Sequence, residues 1–321
     1  MNNCYPLISV ITPSFRQAQF LHKTMDSVFG QDYPSVEYIV IDGGSNDGSR
    51  EIIAVNADRL AHWVSEPDRG QVDAINKGLE RASGEILCYL NSDDLLHPGA
   101  LRAVANAYAK YPDADVFHGR CSTIDENGAP LDRGFFGDIA TPSKILDLWS
   151  VWFAGKNVVQ PEVFWTRRLM DRIGLFDETF NYAMDYDYWT RAIVGAGAKV
   201  CRIDQDLAAF RLWGGQKSNA SDKAADELRR IAIRYIDDPA APLDPDTRRR
   251  LKAAWTFDEV FAKGCAQIAA EEGSSLSRRM RVAAMAMRNP ILFSNEAFRG
   301  RMAGAIRRLV GLGNPKPSAN A

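Results

Sequence analysis

Asp93 and Asp94 stand side by side in "YLNSDDLLHP", residues 89–98, directly after the apolar run "EILCYL". Adjacent carboxylates repel each other unless a positive group lies between them. A hard divalent cation such as Mg2+ or Mn2+ takes oxygen ligands and keeps positions open for phosphate, so the pair suits a metal that holds a diphosphate. The simpler reading is a helix cap, in which an aspartate before "LLHPGAL" accepts backbone N–H groups, although one acid suffices for that. A second acidic cluster, "NYAMDYDYWTRA" at 181–192, sets Asp185 and Asp187 among Tyr182, Tyr186, Tyr188 and Trp189. Acids at a helix start are favoured by the helix dipole alone. Apolar neighbours, however, raise a carboxylate toward the range of a useful general base, which makes Asp185 a candidate. Tyr186 and Trp189 are candidates for a platform under a sugar ring.

Asp42 follows "EYIVI" and precedes "GGSNDGS". Gly, Asn and Asp favour turns, and most of that loop reads as one. Asp42 itself sits where a carboxylate could accept a hydrogen bond from a base or ribose. The loop is not an EF-hand, because its third position is Gly44 and its sixth Asp47. Nor does it carry the GxGxxG or P-loop spacing, which argues against dinucleotide and NTPase readings. "SEPDRGQVDAINKG", residues 65–78, packs Asp68, Arg69, Asp73, Asn76 and Lys77 into a strand-to-helix passage. These are either a solvated helix start or a set of polar contacts around a nucleotide.

The elements that must position these groups are legible as periodicity. "LISVITP" (7–13), "EYIVID" (37–42), "AHWVSE" (61–66) and "EILCYL" (85–90) read as buried strands. Leu21, Met25, Val28 and Phe29, and then Val72, Ile75 and Leu79, recur at helical spacing between them. Strand and helix alternate through about the first hundred residues, which predicts a parallel α/β sheet. Ligands of such sheets lie beyond the carboxyl ends of the strands, and Pro13-Ser14, Asp42 and Asp93-Asp94 all fall at that edge. From about residue 115 a hairpin with "ENG" at its turn follows. A further strand is expected within 199–213, and Ala- and Arg-rich helices after about 220.

Composition narrows the class. With 321 residues, 46% hydrophobic and 25% charged, the chain is an ordinary globular protein. A net charge of −2 gives no electrostatic pull toward nucleic acid. Five scattered cysteines without CxxC spacing argue against a zinc site or a disulfide framework and for a reducing compartment. "MNNCYPLISVITP" has no basic, long-apolar signal pattern, and no uncharged apolar run reaches the ~18 residues of a membrane span. These point to a cytoplasmic protein.

Taken together, "ISVITPSF", "IVIDGGSNDGS", "EPDRGQVDAINKG", "ASGEILCYLNSDD", "GLFDETFNYAMDYDYW" and "LAAFRLWGGQKS" resemble, in order and over about residues 7–218, the family 2 inverting glycosyltransferases of GT-A fold. The resemblance implies one Rossmann-like mixed, mostly parallel sheet flanked by helices. It implies that Pro13 and Ser14 line the nucleotide pocket and that Asp42 binds the base, typically uracil. Asn91-Ser92-Asp93 occupies the DxD position with Asp94 beside it, and Asp93 and Asp94 hold Mg2+ or Mn2+. Asp185 matches the catalytic base, and Arg211 and Lys217 are diphosphate contacts. The implied partners are a nucleotide-sugar donor, probed first as a UDP-sugar, and a saccharide or lipid-linked saccharide acceptor of cell-surface polysaccharide assembly. Three positions depart from the pattern. Asn91 replaces the first DxD aspartate, Trp213 stands where many relatives have histidine, and Met184 where glutamate is common.

A catalytically inactive sugar-nucleotide-binding protein on the same fold is the competing reading, motivated by Trp213 and Met184. A nucleotidyltransferase ranks below both, because "TPSFRQAQF" has no glycine for a phosphate loop. The expected organisation is a catalytic domain over 1–220, a basic helical extension over 221–312 and a disordered tail over 313–321. Within 274–312, eight arginines stand against Glu296 with apolar residues interleaved. That composition suits either peripheral contact with an anionic membrane face or a helical bundle with a solvated basic face.

Overall fold

The structure is a computed structural model, and it describes residues 5–217, 221–271 and 275–293. Its elements run β1 (Ile8–Ser14), α1 (Ala18–Phe29), β2 (Val36–Asp42), α2 (Ser49–Ala54), β3 (His62–Ser65), α3 (Gln71–Arg81) and β4 (Ile86–Tyr89). There follow β5 (Leu95–Leu96), α4 (Ala100–Lys110), β6 (Val116–Ile124), β7 (Pro130–Phe135), α5 (Pro142–Ile145), β8 (Val163–Thr166), α6 (Arg167–Ile173), α7 (Met184–Thr190) and β9 (Val200–Arg211). The helices α8 (Ser221–Asp237), α9 (Pro245–Thr256), α10 (Lys263–Ala270) and α11 (Ser275–Met287) complete them. The chain divides into residues 1–231 and residues 232–321.

In the first unit one sheet has the order β3-β2-β1-β4-β8-β6-β9-β5, with β7 paired to β6. The pairs β2–β3, β1–β2 and β1–β4 are parallel, as the alternation predicts. All seven residues of β1 are buried, as a central parallel strand covered on both faces requires. Gly78 lets α3 lie directly on that strand: a Cβ there would come within 2.4 Å of Ile11 Cγ2. Beyond β4 the sheet becomes mixed. β8 inserts antiparallel between β4 and β6, and β9 runs parallel to β6. The strand and hairpin expected within 199–213 and around "ENG" are β9 and β6–β7.

Chain order places β2 and β3 on one side of β1 and β4 on the other. The carboxyl ends of β1 and β4 therefore flank a point where the winding reverses, the preferred place for a ligand in such sheets.

The helix cap, the simpler alternative at Asp93-Asp94, is not what forms there. Asp94 N bonds to Asn91 O at 3.1 Å, closing a turn, and the chain then forms β5 antiparallel to β9. α4 starts only at Ala100, with left-handed Gly99 before it and no side-chain cap.

The second unit is helical. α9 begins with Pro245 behind Asp244, whose carboxylate accepts from Asp246 N and Thr247 N, a normal N-terminal cap. Leu251, Phe257, Phe261, Ile268 and Val282 are among its buried residues. Of the basic segment, residues 294–312 lie outside the described residues, as does the tail 313–321. On α11, Met280 and Met287 are exposed and Arg281 pairs with Glu271. No helix among the described residues is long and apolar enough to cross a membrane.

Candidate active site

A cavity of about 790 Å³ opens at the reversal point, within the size range of small-ligand sites. The carboxyl ends of the parallel strands supply one wall: Pro13, Ser14 and Phe15 after β1, Gly43 after β2, Asp68 after β3, and Asn91, Ser92 and Asp93 after β4. The rest of the lining includes Trp152, residues 157–161, Asn181, Tyr182, Met184 and Asp185, with Gln216 and Lys217 following β9.

Among the described residues, Ser14 Oγ, Gln17 Oε1 and Gln160 Oε1 on these walls are buried without a hydrogen-bond partner. Gln160 is further constrained, because its amide nitrogen is bonded to Tyr89 O. That bond uses one of its two amide N–H donors, and its carbonyl oxygen has no partner among the described residues.

At the expected metal position the two aspartates part company. Asp93 lines the cavity; its Oδ2 accepts from the Trp213 indole N–H at 2.9 Å. Asp94 is fully buried behind it. Arg211 N bonds to Asp94 Oδ1 at 3.0 Å and Asn91 Nδ2 to Oδ2 at 3.3 Å. Burial, reinforced by the charge of Asp93, pushes the Asp94 carboxyl well above the usual carboxylate range. Asp93 is also raised, chiefly by burial, against the lowering effect of the Trp213 bond.

Arg211 is the positive group beside the pair. Its Nε donates to Asp93 O at 2.7 Å, and its Nη1 donates to Asp125 O and Glu126 O. Its guanidinium stacks over the Phe20 ring at 4.7 Å. At 1% exposure it is a buried clamp on the "NSDD" turn and does not line the cavity, which corrects its assignment to a diphosphate.

Asp185, in the first turn of α7, lines the cavity. Burial raises its pKa, while the Tyr186 N–H at 2.8 Å and the Lys217 charge act in the other direction. A carboxylate raised in this way is a better proton acceptor at neutral pH than an exposed one. Lys217 Nζ donates to Gln71 Oε1 at 2.9 Å, and Gln71 Nε2 donates to Asn91 Oδ1 at 2.7 Å. A hydrogen-bonded chain thus spans the cavity from the segment after β9 to the "NSDD" turn.

Of the residues singled out from the sequence, Pro13, Ser14, Asp68, Asp93, Asp185 and Lys217 meet at the cavity. Asn91, Ser92, Tyr182 and Met184 line it too, and others face elsewhere. Asp42 is fully buried, with its oxygens taken by Ser45 N, Ser45 Oγ and Ser65 Oγ. The carboxylate presented there is Asp68, which lies so close over Gly43 that a Cβ would come within 2.6 Å of its Oδ2. Arg69 pairs with Asp73 and Glu178. Asn76 spends its amide on the Phe176 backbone in both directions. Trp189 packs against Trp165 and Tyr188 in the core. Tyr186 donates to Ile145 O and meets the Trp152 ring edge-on at 4.7 Å. The aromatic rings that do reach the cavity include Trp152 and Tyr182.

Phe15 was missed, although its place directly after β1 was a usable signal. It is 55% exposed at the cavity wall. The next residue, Arg16, is held at φ +54°, with its N–H on Ser45 Oγ at 2.7 Å. A non-glycine residue held there is a local strain of the kind that collects at ligand sites. Residues 152–161 carried no periodic signal at all.

Residues 9–156 match the family description "Glycosyl transferase family 2". An uncharacterized glycosyltransferase of Mycobacterium tuberculosis is 33% identical over 189 residues, covering 58% of this chain and 69% of that protein. A putative teichuronic acid biosynthesis glycosyltransferase of Bacillus subtilis, TuaG, is 36% identical over 136 residues, covering 41% and 54%. The chain spans between 28% and 69% of the length of curated relatives of this kind. Among solved structures, S. aureus TarS 1–349 in complex with UDP-GlcNAc superposes with TM-score 0.63 at 18% identity, covering 95% of this chain and 90% of that one. Mannosyltransferase PcManGT from Pyrobaculum calidifontis, in complex with GDP-Man and Mn2+, gives 0.59 at 20% identity, covering 97% and 86%. The fold is GT-A, and the chain belongs to glycosyl transferase family 2.

Proposed function

We propose that this protein is an inverting glycosyltransferase that moves a sugar from a nucleoside-diphosphate sugar, a UDP-sugar in the first instance, to a hydroxyl of a saccharide or lipid-linked saccharide. The observation that carries this reading is one cavity lined by both Asp93 after β4 and Asp185 on α7. The nucleotide sugars bound by TarS and PcManGT support the donor class, and the name of TuaG supports a role in cell-surface polysaccharide assembly.

In this reading the base lies against Pro13 and the exposed face of Phe15, with Asp68 accepting an N–H. The diphosphate extends toward Asp93 and Lys217. Asp185 accepts the proton of the acceptor hydroxyl as that oxygen bonds to C1 of the sugar. The C1–O bond to the diphosphate breaks, its electron pair leaves with the nucleotide, and the configuration at C1 inverts. Gln160 Oε1 accepts from a hydroxyl of one of the two sugars.

Among the described residues no cluster of three acidic, His or Cys side chains is arranged for a metal. Mg2+ binds readily through one carboxylate plus substrate phosphates, and the Asp93 oxygen not held by Trp213 fits that arrangement. A cation brought by the donor would be held by Asp93, with Asp94 behind it accepting from Arg211 N and Asn91 Nδ2. When bound, it stabilises negative charge on the departing diphosphate.

Asp185→Asn is the test: donor binding is retained while transfer is lost. The Trp213 bond that occupies one Asp93 oxygen favours the second reading, a sugar-nucleotide binder without turnover. That reading predicts donor binding with no transfer by wild-type protein.

A further inference from the structure

Glu227 lies on α8, buried, ten residues beyond Lys217 in the chain. Its carboxylate accepts from three consecutive backbone N–H groups that precede α7. Oε2 accepts from Tyr182 N at 2.7 Å and from Ala183 N at 2.8 Å, and both oxygens accept from Asn181 N at 3.1 Å. Successive N–H groups converging on one carboxylate form an anion nest, here filled by the protein's own side chain. Two of the three residues, Asn181 and Tyr182, line the cavity, and Asp185 follows two residues after the third. No side chain of the segment itself caps this end of α7. Glu227 therefore supplies from outside the contact that fixes the segment carrying the cavity wall and the base.

We infer that Glu227 is the positioning residue for Asp185: it holds the 181–183 backbone in register and stands as a second negative charge near the base. The inference rests on the proposed role of Asp185. Tyr182 is braced from its other side as well, with Lys217 Nζ 5.7 Å and Lys223 Nζ 5.6 Å from its ring centroid. The groups that act on Asp185 are then Lys217 after β9, Glu227 from α8, Tyr89 from β4 and its neighbour's N–H on α7. Of these, Glu227 raises its proton affinity and Lys217 lowers it.

The test is Glu227→Gln, an isosteric change that replaces an acceptor with an N–H donor facing other donors. Donor affinity, read by calorimetry with a UDP-sugar, is expected to stay within about threefold. Turnover is expected to fall roughly ten- to a hundredfold, the scale of a small misplacement of a reacting group. The acid limb of the kcat profile is expected to move to lower pH, because a neighbouring negative charge is gone. A merely structural contact would not move that limb. Amide exchange at Asn181, Tyr182 and Ala183 is read on the same proteins and needs no turnover: slow in wild type, fast in the variant. Equal protection, or an unchanged kcat and acid limb, overturns the inference. Donor binding lost together with turnover also overturns it, because the residue would then support the whole cavity. If wild-type protein itself transfers no sugar, the glycosyltransferase reading fails, while the exchange result still decides whether Glu227 holds this backbone.

Discussion

Trp213 donates its indole N–H to Asp93 Oδ2 at 2.9 Å, so the aspartate that faces the cavity is aimed by a residue from the far end of β9. The Trp213 ring also meets Phe20 of α1 at 5.1 Å, edge-on, which fixes the indole in turn. Outer partners of this kind typically change metal affinity by ten- to a hundredfold when removed. Trp213→Phe keeps the packing and removes the N–H. Mn2+ affinity in the presence of UDP is expected to change by about tenfold while the melting temperature moves little. An affinity equal to wild type would show that Asp93 needs no such orientation.

Asp185→Asn removes the proposed proton acceptor and keeps the shape. Transfer is expected to fall by roughly 10²- to 10⁴-fold, the usual contribution of a general base, with donor affinity retained. The pH dependence has a definite sign. The base works deprotonated and its pKa is raised by burial, so turnover is present at higher pH and is lost as pH falls through that raised value. An acid limb at the ordinary aspartate value of about 3.9 would contradict the assignment.

Gln160 donates one amide N–H to Tyr89 O, and its carbonyl oxygen has no partner among the described residues. In the proposed complex Gln160→Leu leaves one sugar hydroxyl without its acceptor, a loss of about 1–3 kcal/mol. The expected outcome is a KM raised by roughly ten- to a hundredfold for one sugar and not for the other. Comparing the two KM values identifies which sugar the glutamine reads, and no change in either would remove it from the site.

Stability carries its own pH signature. Glu162 is fully buried, and burial lifts its carboxyl to about 9. His118, also fully buried, is lowered by burial to about 4. A raised carboxyl contributes stability that is complete below its unfolded pKa near 4.5 and is lost as pH climbs toward 9. A lowered histidine contributes stability that is complete above 6.5 and is lost as pH falls toward 4. Glu162→Gln, which can keep the bond from Val159 N, is therefore expected to raise the melting temperature by several degrees at pH 8 and by less at pH 5. The reverse order in thermal melts would contradict this.

The parallel half of the sheet was legible because strands buried on both faces are continuous apolar runs, and β1, β2 and β4 are such runs. The place of the cavity followed, because loops that leave those strands carry Ser14 and Asp93 to one edge. What spacing could not convey is direction. Asp93 and Asp94 are neighbours in a tight turn, so one faces the cavity and the other the interior, and only the fold tells which. The same holds for Tyr186 and Trp189, whose aromatic character suits a sugar platform and a core equally well. Trp152 and Gln160 come from a segment without periodicity, brought to the cavity by β8 inserting antiparallel beside β4. Glu227 was invisible for a different reason: a lone glutamate on an amphipathic helix has no local mark of the backbone it will bind.

The most direct test of the account is calorimetric titration of a UDP-sugar panel into wild-type protein and Asp93→Ala, each with and without Mn2+. The account predicts that one donor binds tightly only with the cation present, and that Asp93→Ala abolishes that dependence while Asp94→Asn, run alongside, retains it. Cation-independent binding to wild type, or equal binding to Asp93→Ala, would contradict the claim that Asp93 is the side chain that holds the cation.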